Sequence, residues 1–475
     1  MRNADLLRAP FTRAAWQGRR VLILGLGQYP QGSGITAALL FARLGARVTV
    51  TDLKTRVELK ANVARLKKFH HVRLVLGGHA ERDIRAADII IANPRVRPSS
   101  PELRLAKRLG IPVTSDVALF MNRCGARVIG VTGTRGKSTT SALVAHILRA
   151  TGKTVWLGGN ILVSPLTFLS RLKPWHLVVL ELSSWQCESL VGSKAPHIAV
   201  ITNLLRDHLN TYRGLADYAA AKAQIFKRQG ADDIVILNGD DPYGRGWKKT
   251  APGRVLTFGS GARNHAYLAM TTLMLRDRRH RMALLDEKSL PLLGRHNAMN
   301  SLAAALAAQA AGARSSEIRR GLRTFKPLPH RLELVRVIRG VKYVNDTTAT
   351  TPDGTIAAVK ALVGDHHHLW LIMGGADKKL DYQALARVIA ERRPHVHVIL
   401  MPGDASLKIA AVLLKRKIHF YPVSSLLDSI NLAAEHAVTG DVVILSPGAA
   451  SFNQFANEFE RGEAFREMVV GLTVF

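Results

Sequence analysis

The chain has 475 residues, more than one hydrophobic core usually organises, so its length predicts two or three domains. Hydrophobic residues make up 47% and charged residues 21%, which excludes an intrinsically disordered chain. No stretch reaches the roughly 18 apolar residues of a membrane span, and neither cysteine has metal-ligand spacing. We therefore expect a cytoplasmic protein without disulfides or a membrane span.

The formal net charge is +32, from 67 Lys and Arg against 35 Asp and Glu. Such an excess favours anionic partners such as polyphosphates, nucleic acid or a membrane surface. The basic residues are distributed along the chain, which favours the simpler interpretation of a solvated basic surface. Because neither zinc-finger spacing nor aromatic-rich RNA-binding segments occur, we expect no specific nucleic-acid partner.

The first predicted elements form a βαβ unit. Strands over residues 21–24 and 47–51 flank a helical pattern over 35–44, with Gly25 and Gly27 after the first strand and Asp52 after the second. In this pattern a helix N-terminus receives phosphate and the acid receives a sugar or base. The glycines are spaced more widely than G-x-G-x-x-G, so an ordinary NAD site is not indicated and tight-turn packing remains the alternative.

Further strand-like runs alternate with helical segments along the rest of the chain. This alternation predicts parallel sheets with crossover helices, an α/β fold. Hairpins are expected over 259–294, an alanine-rich helix over 297–311, and a boundary at the two prolines of 326–329. The runs lie at residues 89–92, 127–132, 177–181, 198–202 and 234–237, then at 343–344, 369–373, 397–400 and 442–445.

A glycine-rich loop lies between the predicted strand at 127–132 and a helical segment over 141–149. Backbone N–H groups of such a loop can cradle phosphate, Lys137 can neutralise a γ-phosphoryl group, and Ser138 can bind Mg²⁺. Val131 stands where the strict Walker pattern has its first glycine, so the loop predicts a bound nucleotide without specifying a reaction. The loop residues are Gly133, Thr134, Arg135, Gly136, Lys137, Ser138 and Thr139.

Glu181 ends one predicted strand, and His208 follows another. The carboxyl ends of parallel strands face the crevice where α/β proteins bind ligands, so these two side chains could meet near the loop as Mg²⁺ ligands. Either residue alone is better explained by a structural role. Together, beyond a phosphate-binding loop, they favour metal-assisted phosphoryl chemistry.

Short motifs in order along nearly the whole chain resemble the Mur ligases, most closely their MurD type. The resemblance implies a Rossmann-like UDP-binding domain at 1–122, a central P-loop ATPase-type parallel-sheet domain at 123–327, and a C-terminal Rossmann-like amino-acid-binding domain at 328–475. The motifs are Gly25–Gly27, Thr132–Ser138, Gly158–Asn160, Glu181–Ser184, Asp207–His208, Tyr218–Lys222, Gly294–Asn297, His330–Arg331, Asn345–Asp346, Gly374–Gly375 with Lys378, Leu445–Pro447, Ala450–Ser451 and Arg461–Gly462.

The resemblance also implies an activity in peptidoglycan precursor synthesis. ATP would phosphorylate the carboxylate of UDP-N-acetylmuramoyl-L-alanine, and the amine of glutamate would attack the acyl phosphate. Lys137, Glu181, His208 and a carbamylated Lys222 would be catalytic, and the last three would ligate Mg²⁺ with Ser138. A carbamate turns a cationic side chain into an anionic oxygen ligand.

The remaining site residues follow from the same resemblance, and we expect a monomer. The nucleotide would be held by Asn297, Arg331 and Asp346 together with the loop; the UDP substrate by Asp52, Leu53, Asn160 and Ser183; and glutamate by Thr350, Lys378, Ser451 and Phe459.

Two departures from the family pattern concern the incoming amino acid. Thr348 stands where a lysine is usual, and either Glu458 or Phe459 takes the place of an aromatic residue near the substrate carboxylate. The threonine-rich variant is similar to a branch that includes L-glutamate-adding members. The expectation is D-glutamate, the commoner family activity, with L-glutamate left open.

Other Mur ligases and folylpolyglutamate synthases share the loop, the glutamate, the histidine and the lysine. The Asp-Asn-Pro-Arg signature of diaminopimelate-adding relatives is absent from the C-terminal third, which disfavours that branch. A non-catalytic, regulatory ATP-binding protein is the alternative from another class. Retention of Lys137, Glu181, His208 and Lys222 argues against it, because simple nucleotide binding does not require a metal and carbamate set.

Overall fold

The computed structural model describes residues 3–207, 211–277, 280–363, 367–451 and 454–472. The chain separates into two compact units, Met1–Asp286 with Met299–Arg323, and Glu287–Ala298 with Thr324–Phe475. The first unit contains a five-stranded and a nine-stranded sheet, and the second contains a six-stranded sheet. The predicted α/β class with mostly parallel sheets is confirmed.

The five-stranded sheet is parallel throughout, with strand order β3-β2-β1-β4-β5. Because the order reverses between β1 and β4, a ligand crevice is expected at their carboxyl ends. The strands are β1 Arg20–Leu24, β2 Arg47–Asp52, β3 Val72–Leu76, β4 Ile89–Ala92 and β5 Val113–Thr114; the helices are a 3₁₀ turn Asn3–Leu7, then α1 Arg13–Trp16, α2 Ser33–Arg43, α3 Lys60–Leu66, α4 Glu81–Arg85, α5 Pro101–Arg108 and α6 Asp116–Arg123.

The nine-stranded sheet has the order β14-β13-β12-β11-β10-β9-β6-β8-β7, and its last three strands in sequence form antiparallel pairs. Its strands are β6 Arg127–Thr132, β7 Val155–Gly159, β8 Leu177–Glu181, β9 Ile198–Ile201, β10 Ile234–Asn238, β11 Arg254–Gly259, β12 Ala266–Ala269, β13 Thr272–Asp277 and β14 His280–Asp286. The helices over this part of the chain are α7 Lys137–Arg149, α8 Ser184–Glu188, α9 Leu215–Ala223 and α10 Pro242–Trp247, with 3₁₀ turns at Pro165–Thr167, Leu169–Arg171 and Glu287–Ser289. Two helices follow, α11 Arg295–Ala310 and α12 Ser315–Thr324.

The six-stranded sheet has the order β15-β16-β20-β17-β18-β19, parallel except for the β15–β16 hairpin. Its strands are β15 Glu333–Ile338, β16 Val341–Asn345, β17 Leu369–Met373, β18 Val396–Leu400, β19 Phe420–Pro422 and β20 Val442–Leu445; the helices are α13 Pro352–Leu362, α14 Gln383–Ala390, α15 Asp404–Lys415, α16 Leu426–His436 and α17 Glu458–Val470.

Burial explains why the central strands read as continuous apolar runs. Strands β8 and β9 are buried at every position, as expected for parallel strands covered on both faces. Several helices begin at side-chain caps: the Ser115 hydroxyl accepts the Ala118 N–H at the start of α6, and Ser183 forms a capping box with Gln186 at the start of α8. None of the helices in the described ranges combines the length and apolarity that a bilayer crossing requires.

A histidine-rich cluster covers the amino end of β17 in the second unit. The Trp370 ring stacks on His397, with centroids 4.4 Å apart, and on His436, at 5.8 Å. Nε2 of His397 lies 2.9 Å from Nδ1 of His368. Burial, followed by the charge of His368, lowers the pKa of His397, while Asp441 acts in the opposite direction.

We predict that this cluster destabilises the protein in acid. An unfolded chain takes up a proton at His397 as the pH falls through about 6.5, whereas the folded chain resists that protonation, so stability falls between pH 7 and pH 5. His397→Gln should reduce the loss of melting temperature over this interval, and the exposed His280→Gln should not. Thermal melts at both pH values test this, and equal losses in wild type and His397→Gln would contradict it.

Candidate active site

The phosphate loop between β6 and α7 depends on two glycines with positive φ. Gly133 has φ +146°, and a Cβ there would lie 1.9 Å from Oγ1 of Thr202. Gly136 has φ +79°, and its Cβ would lie 2.1 Å from Oδ1 of Asn300. Both positions therefore exclude any side chain, by conformation and by space.

The residues that follow β9 hold the loop in place. The N–H of Thr134 donates to the carbonyl of Asn203 at 2.9 Å, and the N–H of Arg135 donates to the Asn203 side-chain oxygen at 2.9 Å. The Thr202 hydroxyl donates to the Arg135 carbonyl at 2.6 Å. Asn203 was not predicted as a site residue, although its place directly after a predicted strand was the available signal. Ser138 and Thr139 lie in the first turn of α7.

Lys222, on α9, is buried beneath this loop. It is 1% exposed, and its Nζ donates to the carbonyl of Gly133 at 2.8 Å and lies 4.5 Å from the centre of the Tyr218 ring. Burial, followed by the charge of Lys137, lowers the pKa of Lys222 to about 7. Lys222 is therefore a buried lysine, unlike the many surface lysines of this basic chain.

Glu181, the last residue of β8, is 2% exposed. Its Oε1 accepts a hydrogen bond from Nδ2 of Asn160 at 2.8 Å, while Oε2 has no hydrogen-bond partner among the described residues. Glu181 is close enough to Lys222 to influence its pKa. A buried carboxylate oxygen without a partner is suited to a hard cation such as Mg²⁺.

Besides Glu181, the predicted metal ligands are Ser138, His208 and Lys222. His208 lies outside the described residues. Within the described ranges, no group of three or more His, Cys, Asp or Glu side chains is placed to hold a metal ion. Among the described residues, the predicted metal ligands are therefore Glu181, Ser138 and Lys222.

A cavity of about 700 Å³ lies at the carboxyl ends of β1 and β4, and the four residues predicted to bind the UDP substrate, Asp52, Leu53, Asn160 and Ser183, all line it. Asp52 accepts the N–H of Gly27 at 3.0 Å and that of Lys54 at 2.9 Å, so its carboxylate fixes the glycine turn.

Three cations in the cavity wall were not predicted. Lys54, Arg95 and Arg97 line the same cavity, and Arg97 donates to the hydroxyl of Thr211 at 3.0 Å. Such a group of cations favours a ligand that carries phosphates.

In the second unit, two of the predicted nucleotide-binding residues flank the β15–β16 hairpin: Arg331 precedes β15, and Asp346 follows β16. The Asp346 carboxylate accepts the N–H of Leu332 at 3.2 Å and the hydroxyl of Ser446 at 2.9 Å. Arg331 stands between two residues with positive φ, His330 at 65° and Leu332 at 46°, a strained turn. Asn297, in the first turn of α11, is buried and donates from Nδ2 to the carbonyl of Leu293 at 2.8 Å.

The residues predicted to bind glutamate fall into one contacting pair and two single positions. Nζ of Lys378 donates to the hydroxyl of Thr350 at 2.9 Å. Ser451 is buried, and its hydroxyl has no partner within the described part of the chain. Phe459 packs edge-on against the His330 ring at 5.8 Å.

The two departures from the family pattern have distinct environments. The hydroxyl of Thr348 donates to the His330 carbonyl at 2.9 Å, so this threonine supports the strained turn. The backbone carbonyl of Glu458 accepts the hydroxyl of Thr347 at 3.1 Å. Beside it, the buried Arg461 donates to Thr347 at 2.9 Å; the Arg-Gly motif of the resemblance was the signal for this residue, which was not predicted as a site.

Three domain families match the chain in order. "Mur ligase MurD-like, N-terminal domain" matches residues 19–115, "Mur ligase middle domain" matches 131–308, and "Mur ligase, glutamate ligase domain" matches 330–448. A UDP-N-acetylmuramoylalanine–D-glutamate ligase of Roseiflexus sp. (strain RS-1) is 38% identical over 470 residues, which covers 96% of this chain and 99% of the relative. The chain belongs to the Mur ligase family.

A second enzyme with the same name, from Anaeromyxobacter dehalogenans, is 37% identical over 463 residues, covering 95% of this chain and 97% of the relative. Among solved structures, MurF from Acinetobacter baumannii superimposes with a TM-score of 0.62 at 20% identity, covering 94% of this chain and 92% of that one. The structural likeness to MurF concerns the fold. The middle-domain match of this Mur ligase contains the phosphate loop, Glu181 and Lys222.

We predict that Gly136→Ala destabilises the Mur ligase more than Gly152→Ala. The two glycines have nearly the same φ, +79° and +81°, but a Cβ at Gly152 would meet no atom within 4 Å, whereas one at Gly136 would meet Asn300. Both variants carry the backbone strain of about 1 kcal/mol, and Gly136→Ala adds a clash. Thermal melts and nucleotide titrations compare them, and equal melting temperatures would show that Asn300 yields without cost.

Proposed function

We propose that this Mur ligase is an ATP-dependent enzyme that joins D-glutamate to UDP-N-acetylmuramoyl-L-alanine in peptidoglycan synthesis. Curated relatives that bear the name of this activity are 34–38% identical over nearly the whole chain. The observation that carries the proposal is the buried Lys222 amine, which donates to the carbonyl of Gly133 in the phosphate loop. A protein that merely binds ATP gains nothing from burying an amine whose charged form is disfavoured at this position.

The reaction proceeds in two steps, phosphoryl transfer and then amide formation. A carboxylate oxygen of the alanine attacks the γ-phosphorus of ATP, the bond to the bridging oxygen breaks, and ADP leaves. The glutamate nitrogen then attacks the carbonyl carbon of the acyl phosphate, and the C–O bond breaks to release phosphate as the nitrogen loses a proton. Lys137 and the N–H groups at the start of α7 stabilise the negative charge on the transferring phosphoryl group.

Magnesium would neutralise charge on the phosphates. Glu181, the Ser138 hydroxyl, His208 and a carbamylated Lys222 would hold it. The unpartnered Oε2 of Glu181 supports this assignment. The lowered pKa of Lys222, about 7, leaves a substantial neutral fraction of the amine near neutral pH, and a neutral amine is the form that adds to CO₂.

The UDP moiety would occupy the cavity lined by Asp52, Leu53, Asn160 and Ser183, with its diphosphate near Arg95 and Arg97. In the second unit, Asn297, Arg331 and Asp346 would bind nucleotide. Thr350, Lys378 and Ser451 would bind the carboxylates of glutamate beside Phe459, and the unpartnered Ser451 hydroxyl supports this.

We propose domain boundaries at 1–122, 123–327 and 328–475 and a monomer that acts in the cytoplasm. Both cysteines, Cys124 and Cys187, are free and buried, which supports a reducing compartment.

An assay of product formation tests the function directly. The purified protein is given UDP-N-acetylmuramoyl-L-alanine, ATP and Mg²⁺ with either D-glutamate or L-glutamate, and phosphate release and product mass are measured. Amide product is expected with D-glutamate. Product with L-glutamate only would correct the stereochemistry, and no product with either amino acid would overturn the function.

Substitution of Lys222 tests the carbamate. Lys222→Ala should lower kcat by at least about 10²-fold, because a metal ligand is lost, and added short carboxylic acids should partly restore it. The exposed Lys227→Ala, on the same stretch of chain, is the matched control and should retain full activity. Labelling with ¹³C-bicarbonate should give a carbamate signal in wild type that increases between pH 6 and pH 8, as the Lys222 amine loses its proton. Unaltered activity of Lys222→Ala would remove this role.

A further inference from the structure

Asp116 is a fully buried acid, and the reaction described above does not use it. It is the first residue of α6, in the segment of chain that leads from the five-stranded to the nine-stranded sheet. The hydroxyl of Ser164 donates to Oδ2 of Asp116 at 2.5 Å, while Oδ1 has no hydrogen-bond partner among the described residues. Ser33 lies close enough to influence the pKa of the same carboxyl group. Asp116 therefore lies beside two serines from distant parts of the sequence and binds one of them.

Both serines line the 700 Å³ cavity, and they come from two different parts of its wall. Ser33 opens α2, directly after the glycine turn that Asp52 fixes. This turn is tight, because a Cβ at Gly34 would lie 2.1 Å from the carbonyl oxygen of Gly25. Ser33 thus belongs to the part of the cavity that is built by the first sheet.

Ser164 belongs to the loop that follows β7 in the second sheet. Its N–H donates to the carbonyl of Gln31 at 2.7 Å, which joins this loop to the loop before α2. The same loop carries Asn160, whose side chain donates to Glu181 at 2.8 Å. The Ser164 loop therefore connects the cavity to the carboxylate assigned above to the metal.

Within residues 3–207 and the other described ranges, Asp116 forms no salt bridge that would balance its charge. Burial raises the pKa of this carboxyl group. Burying a carboxyl group is unfavourable in free energy, so such a group is retained where its hydrogen bonds fix the relative positions of other residues.

We propose that Asp116 is a positioning residue for the UDP-linked substrate: through its hydrogen bond to Ser164, whose N–H in turn binds the Gln31 carbonyl, it holds the Asn160 loop and the loop before α2 at the separation that the substrate spans. This inference rests on the proposed function for the identity of the substrate. It predicts selective damage: the affinity for the UDP-linked substrate falls, and the affinity for adenine nucleotide does not.

The test compares Asp116→Ala, Asp116→Asn and Ser164→Ala by calorimetric titration with UDP-N-acetylmuramoyl-L-alanine and, separately, with ADP. Asp116→Ala should weaken binding of the UDP-linked compound about tenfold or more, the effect of losing a hydrogen bond to a carboxyl group, and leave the ADP affinity unchanged. Asp116→Asn should recover part of the affinity, because the carboxamide oxygen can still accept the Ser164 hydroxyl. Ser164→Ala should weaken binding by a smaller factor.

Asp83→Asn is the matched control. Asp83 is a buried acid of the same unit, it is paired with Arg73, and it does not line the cavity. This variant should lower the melting temperature and leave both affinities unchanged, which separates loss of a buried acid in general from loss of Asp116.

Unchanged affinity for the UDP-linked compound in a folded Asp116→Ala would overturn the inference. So would equal loss of ADP and UDP-substrate affinity, since that pattern indicates a general structural role. If Asp116→Ala does not fold, Asp116→Asn and Ser164→Ala decide the matter by the same comparison. Binding is measured without turnover, so failure of the wild type to form amide product would overturn the proposed function and leave this comparison readable.

Discussion

The burial of the Lys222 amine beneath the phosphate loop is the constraint around which the central site is organised. Its Nζ donates a hydrogen bond to the carbonyl of Gly133. A side chain at position 133 would clash with Thr202, so this position requires glycine. Two cations, Lys137 and Lys222, therefore share one end of β6, and the neutral form of the second is favoured. A buried amine close to its neutral form adds little to stability and is suited to the carbamate proposed for it, so in that proposal the same contact links packing to catalysis.

The excess positive charge is unevenly distributed along the chain, and the C-terminal part carries almost none of it. Residues 1–122 contain 21 Lys and Arg against 8 Asp and Glu, whereas residues 328–475 contain 16 against 15. Lys54, Arg95 and Arg97, from this strongly basic part of the chain, lie in the wall of the cavity proposed to bind UDP. A basic cavity wall attracts a diphosphate from solution and raises its rate of encounter, an effect that salt weakens. Most of the remaining charge lies on solvated surface, as the sequence indicated.

The sequence predicted the strands that are buried at every position and some of mixed burial, such as β2 and β16, and it overlooked several that are short, partly buried or end in glycine. Strands β8, β9 and β20 are buried on both faces and appear as unbroken apolar runs. Strand β3 was missed because its positions are only partly buried, β5 because it has two residues, and β7 because it ends in two glycines. Strand β7 requires glycine at its end because a Cβ at Gly159 would lie 2.1 Å from the carbonyl oxygen of Glu181. Apolar periodicity cannot report a strand whose neighbours demand glycine.

The sequence alone determined the α/β class, the phosphate loop and the family, because these reside in local patterns: apolar runs, glycines before a helix, and polar residues at strand ends. It also nominated Glu181 and Lys222, by position and by resemblance. Only the tertiary structure decided that Lys222 is buried, that one oxygen of Glu181 has no hydrogen-bond partner among the described residues, and that Asp116 binds Ser164 in the wall of a cavity. The contacting residues lie up to 89 positions apart in the sequence. Burial and hydrogen bonding depend on which segments the fold brings together, and no local pattern carries that information.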